Sequence, residues 1–215
     1  MEVIRRNRPG TKVSEFYNWK PLTLKELEEL GSPFANQIYI QQKIREDPSQ
    51  VEKLVALPEG ANKDIWIYEH LRQVVTELHD FVRFHDDLIT AEKYPVMKLK
   101  VKGETMTFKS TAFKKPREVP AIDYMTQTIE SSQDILNDSD LFPSRAYVPE
   151  ASAKNFSQIA RRLYRIFVFA HEETKERFLE YERKHFLYSR FVKLSLNYDL
   201  IEKDQLMIPI DVLQN

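Results

Sequence analysis

Arg161, Arg162 and Arg165 are the residues whose type and spacing speak most directly of chemistry. At about 100° per residue they cover one arc of a helix, while Ile159, Leu163, Ile166, Phe167 and Ala170 cover roughly the opposite arc. The apolar arc belongs in a core, so the arginines face outward. Three like charges within one turn repel one another unless an anion sits among them. Guanidinium forks suit phosphate or carboxylate oxygens in bidentate geometry. A phosphopeptide is the sharper reading of the triad; solvation, or pairing with acidic residues such as Glu172 and Glu173, is the plainer one. A second cluster sets His79 and His85 near Asp80, Asp86 and Asp87, the donor types of a carboxylate–histidine metal site or of an unfamiliar enzyme centre. The plainer reading is a solvated helix end, with His70, His171 and His185 isolated.

Composition removes most other chemistry. The chain has no Cys, which eliminates thiolate nucleophiles, disulfides, iron–sulfur clusters and the commonest structural zinc sites. Four glycines in 215 residues could hardly build phosphate loops, dinucleotide folds or nucleophile elbows, and none of those signatures is present. No cofactor is implied, and no enzyme activity. Lys plus Arg number 32 against 33 for Asp plus Glu, so no overall field favours nucleic acid or an acidic membrane surface, and any anion site must be local. Apolar runs fall far short of the ~20 residues a bilayer requires. The expectation is a protein of the cytoplasm, with no membrane insertion.

Helices must position these residues. Eleven prolines stand between long periodic stretches, as in helices joined by short connections. The spacing predicts helices over 35–46, 49–57 and 62–87, the second opened by a capping box of Ser49 and Glu52. Leu71, Val74, Val75, Leu78, Phe81 and Val82 form the core face of the third. Between 97 and 108 the period changes to two around Gly103, which predicts a small hairpin. Further helices are expected over 120–137, 151–183 and 185–197, followed by an extended strap over 207–213. The fold class is therefore mainly all-α, in one domain over 21–215, preceded over 1–20 by a basic and aromatic arm. Phe16, Tyr17 and Trp19 would pin that arm as core, or serve as an interface.

With these segments in place the chain resembles the Mob family, and within it the phocein branch. The segments RRNRPGTK and FYNW, then YIQQ, LPEG, YEHLRQ, PAIDY, FPSR and RRLYRIF carry the resemblance nearly end to end. It implies a helical bundle with a small hairpin acting as a non-catalytic adaptor. Its partners would be a striatin-like scaffold, phosphatase subunits and germinal-centre kinases. It also implies a phosphopeptide contact at Arg161, Arg162 and Arg165. The alternative is direct co-activation of a nuclear Dbf-related kinase. Relatives dock such kinases with acidic residues at positions that here hold Ala61 and Ile65, which argues against it.

The resemblance further implies a structural zinc held by paired Cys and paired His, and here the chain departs from the family. Ile89, Tyr94, Phe169 and Thr174 occupy those positions, and none can ligate zinc as thiolate or imidazole. Such a clamp is worth about 10 kcal/mol or more, so something must replace it. An apolar plug of Ile89, Tyr94 and Phe169 is the expected replacement.

Overall fold

Helical periodicity dominates the chain, and the computed structural model, which describes residues 9–16, 20–101 and 103–213, turns it into a helical bundle with one small hairpin. The elements are α1 (Leu24–Glu29), α2 (Ala35–Glu46), α3 (Val51–Val55), α4 (Lys63–His85), β1 (Lys98–Val101), β2 (Glu104–Thr107), α5 (Ala121–Asn137), α6 (Glu150–Ala153), α7 (Asn155–Glu173), α8 (Lys175–His185) and α9 (Leu187–Asn197). The expected mainly all-α class with a hairpin is what forms.

Helix α4 begins where Asn62 Oδ1 accepts the otherwise unpaired N–H groups of Asp64 and Ile65, at 3.0 and 3.1 Å. Its predicted apolar face is buried throughout and packs on α5, α7 and α9. Helix α7 is the other central element. Ile159, Leu163, Ile166, Phe167 and Ala170 are each 0% exposed, which turns the arginine arc away from the core. In the hairpin Leu99 faces Met106 and Val101 faces Glu104, with Gly103 turning the chain at φ +88°. Leu99 is buried, β1 contacts α7, and β2 is exposed along its length.

Several boundaries differ from the sequence reading. The helix expected over 151–183 breaks at Thr174, whose hydroxyl donates to the Ala170 carbonyl at 2.8 Å while its own N–H bonds the same oxygen at 2.9 Å. That local bond competes with helix propagation, and Thr174 leaves helical geometry at φ −140°. His185 closes α8 instead of opening α9. Between the two helices Phe186 adopts φ 50°, and the buried Glu182 carboxylate accepts the N–H groups of Tyr188 and Ser189, both at 2.8 Å. The capping box of Ser49 and Glu52 does not form. Gln50 is the N-cap residue of α3 without a side-chain bond, and Ser49 donates its hydroxyl to Asp47. A capping box does form at α1, between Thr23 and Glu26, in a segment that the reading left unassigned.

Residues 207–213 dock against α7 through the Tyr164 hydroxyl, which accepts the N–H groups of Met207 and Ile208, and against α9 through the Tyr188 hydroxyl, which donates to the Ile208 carbonyl at 3.1 Å. The segment ends in a turn, not as an extended strap. Tyr17 and Trp19 lie outside the described residues, while Phe16 is 42% exposed and so is not core. No described helix is long and apolar enough to cross a membrane.

Candidate functional site

Two of the three arginines converge on one cleft. Helix α5 carries Tyr124, Gln127, Thr128 and Ser131 at helical spacing, and α7 carries Arg162 and Arg165 beside them. The chain leaving β2 adds Lys109, Ser110 and Thr111, and these nine residues line a cleft of about 30 Å³. That is room for roughly two waters, or for one small polar group, not for an extended ligand.

The cleft is built, not a chance meeting of side chains. Arg165 Nη1 donates to the Tyr124 hydroxyl at 3.1 Å, and its guanidinium lies 4.5 Å from the centre of the Phe108 ring. Ser110 is buried; its hydroxyl donates to Gln127 Oε1 at 2.5 Å, and its backbone pairs with Arg117 in both directions, at 2.9 and 3.2 Å. The lining holds three cations, Lys109, Arg162 and Arg165, and no carboxylate. Arg162 and Arg165 are half-buried, so less water screens their charge than at an open surface.

Arg161 is not part of this lining. It is exposed and donates from Nε to the Ser157 carbonyl on its own helix at 3.2 Å. Glu172 and Glu173 lie in the last turn of α7. Among the described residues neither forms an ion pair with the three arginines. The sequence offered no sign of Lys109, Ser110 and Gln127, which come from two other elements and carry no motif of their own, and it gave Tyr124 only as the end of PAIDY, with no link to the arginines.

The histidine cluster does not assemble. His79 is exposed and meets Gln133 at 3.4 Å. His85 is 0% exposed, with Nδ1 2.7 Å from the Phe81 carbonyl and its ring stacked on Tyr181 at 4.2 Å. Burial holds the His85 imidazole below its ordinary pKa. Asp86 and Asp87 are exposed, and Asp87 pairs with Arg177. Among the described residues no three His, Cys, Asp or Glu side chains could hold a metal together. The groups do not converge on one cleft: His79 lines one, Asp80 another, and His85 is buried against Phe81.

The positions implied for zinc do not suit it. Ile89 is 0% and Phe169 2% exposed. Tyr94 meets Phe169 edge to face at 5.1 Å, and all three join the main apolar core. The Thr174 hydroxyl is committed to Ala170. His171, half-buried, packs on Phe178 at 5.3 Å. Ala61 and Ile65 are half-buried too, Ala61 against the Leu24–Leu27–Ala35 cluster and Ile65 against the main core.

In each of two larger clefts one carboxylate is already paired with an arginine. One of about 440 Å³ includes Glu77, paired with Arg190, and one of about 290 Å³ includes Glu69, paired with Arg145.

Comparison with known proteins matches residues 42–209 to the Mob1/phocein family. The Drosophila melanogaster protein called MOB kinase activator-like 4 is 37% identical over 99% of this chain and 93% of its own length. The Caenorhabditis elegans MOB-like protein phocein is 36% identical over 97% and 91%. The human MOB kinase activator 3C is 26% identical over 76% and 67%.

Proposed function

The chain belongs to the Mob1/phocein family, and on that premise we propose that it is a non-catalytic adaptor of the phocein type. Its partners are a striatin-like scaffold, phosphatase subunits and germinal-centre kinases, it works in the cytoplasm, and it engages a phosphorylated or acidic segment of one partner. Residues 21–215 act as one domain behind the 1–20 arm. The observation that carries this reading is the cleft in which Lys109, Arg162 and Arg165 meet with no carboxylate among them. A single phosphoryl or carboxylate group suits both its size and its charge. Arg161, outside the lining, contributes at most long-range attraction.

The test is affinity capture of the tagged chain from its own cells, beside an Arg162→Glu, Arg165→Gln variant. Glutamine at 165 removes the charge and keeps a polar side chain. Recovery of striatin-like and phosphatase subunits with the wild type, and loss of one of them with the variant, supports the reading. Recovery of the same partners by both removes the cleft from it.

The second reading is direct activation of a nuclear Dbf-related kinase; the names of the Drosophila and human relatives speak for kinase activation in general and not for this kinase. The half-buried apolar side chains of Ala61 and Ile65 oppose it, since they offer a basic kinase segment no counter-charge. Capture of such kinases in place of a striatin-like scaffold would reverse the order.

A further inference from the structure

The cationic cleft carries a candidate switch on its own rim. Four serines and threonines, Ser110, Thr111, Thr128 and Ser131, line it beside Tyr124, and they differ sharply in availability. Ser110 is 3% exposed, with its hydroxyl donating to Gln127 and accepting from the Ala112 N–H. Thr128 is 7% exposed and sits within α5. Ser131 is half-buried and donates to the Thr128 carbonyl at 3.1 Å. Thr111 alone of the four is exposed.

Its position is fixed from behind and open in front. The paired backbone bonds between Ser110 and Arg117 close the loop 111–116 at its base, so Thr111 leaves from an anchored residue. Beyond it Ala112, Lys114, Lys115 and Pro116 are exposed and outside regular structure. Phe113, between them, packs against the edge of the main core under the Arg117 guanidinium, so a kinase that takes the segment in extended form has to lift that one side chain and no other. Lys109, Lys114, Lys115 and Arg117 flank the hydroxyl, a pattern suited to a kinase with an acidic substrate groove.

We propose that Thr111 is a phosphoacceptor whose phosphate occupies the cleft of Lys109, Arg162 and Arg165 and closes it to a partner's anion. This rests on the anion-site reading given above. In the step itself Thr111 Oγ1 attacks the γ-phosphorus of ATP in a protein kinase. The Oγ1–P bond forms, the bond from that phosphorus to the β,γ-bridging oxygen breaks, ADP leaves, and the hydroxyl proton passes to the kinase's base. The product carries a charge of about −1.5 to −2 and three acceptor oxygens at the lip of a cleft lined by three cations. Held on the same chain, it competes with any external phosphate as a tethered ligand. The adaptor would then release its phosphorylated partner when it is itself phosphorylated.

The experiment has two arms on the full chain. Phosphosite mapping of protein recovered from its own cells, with and without phosphatase inhibitors, should find phosphate on Thr111; none in either condition overturns the proposal. In the second arm phosphothreonine is incorporated at 111, and inorganic phosphate is titrated while the Arg162 and Arg165 Nε–H resonances are followed. The unmodified chain should bind phosphate, and the phosphorylated chain should bind it at least about tenfold more weakly. Its own ³¹P signal should move toward that of a free phosphothreonine peptide when Arg162→Ala and Arg165→Ala are added. Undiminished binding by the phosphorylated chain overturns the switch alone. Failure of the unmodified chain to bind phosphate overturns the anion site and the switch with it.

Discussion

Arg165 and Tyr124, on different helices, are joined by a hydrogen bond of 3.1 Å from guanidinium to phenol oxygen. The bond aims an otherwise long and mobile side chain at the cleft, so part of the ordering cost of anion binding is met before any ligand arrives. Tyr124→Phe removes the acceptor and leaves the ring. The expected loss of stability is about 1 kcal/mol in urea denaturation. Phosphate affinity, read by the Arg165 Nε–H shift, should fall several-fold; an unchanged affinity would show that Tyr124 does not hold the arginine for binding.

Phe169 fills a position where the family resemblance implies a metal ligand, and it packs on Tyr94 inside the main core. Phe169→Ala should cost about 3–5 kcal/mol, as for other large core truncations. A strong chelator should leave the wild-type unfolding midpoint where it was, and elemental analysis should find no stoichiometric zinc. A chelator-dependent midpoint would mean that other groups hold a metal there.

The Glu69 side chain is 1% exposed, and both its oxygens accept from Arg145, whose guanidinium also lies near the Phe34 and Tyr68 rings at 5.3 and 5.7 Å. Removing one member leaves the other charge stranded. Arg145→Met or Glu69→Gln alone should each cost about 3–5 kcal/mol. Together they should cost clearly less than the sum. Additive losses in a double-mutant cycle would show that the pair is not coupled.

The sequence was most informative where one periodicity decided the outcome. The buried faces of α4 and α7, the hairpin about Gly103 and the outward turn of the arginines all followed from spacing. It was silent where distant elements meet: nothing in the sequence ties Lys109 or Gln127 to Arg165, which Gln127 joins only once α5 packs on α7 and Lys109 only once the chain leaving β2 is tied to α5 through Ser110 and Gln127. Breaks such as Thr174 and Phe186 were hidden for another reason. A threonine hydroxyl bonded back to the chain, or a left-handed Phe, depends on what surrounds it and not on propensity. Ser49 shows the converse, since its capping pattern was present and a nearer acceptor, Asp47, took the backbone N–H that Glu52 would have accepted.

His70 lies buried beside Trp66, and burial, aided by the Arg190 cation, pushes its pKa down to about 3. The folded value lies below the ordinary 6.5, so the contribution is complete above pH 6.5 and is lost as pH falls toward 3. His85 is shifted in the same direction, also chiefly by burial. His70 can add a slope of up to about 1.4 kcal/mol per pH unit in that window, and His85 adds one of the same sign below pH 6.5. His70→Gln should lower stability at pH 7.5 yet lose less on acidification than the wild type. Parallel curves for the two proteins between pH 6.5 and 4 would show that His70 carries no such linkage.

The packing of Ile89, Tyr94 and Phe169 also sets how this corner responds to cold. Contacts between apolar side chains weaken as water cools, because the force behind them near room temperature is entropic. A metal clamp would not weaken in this way, so on chilling this corner should lose amide protection in step with the rest of the apolar core and not outlast it.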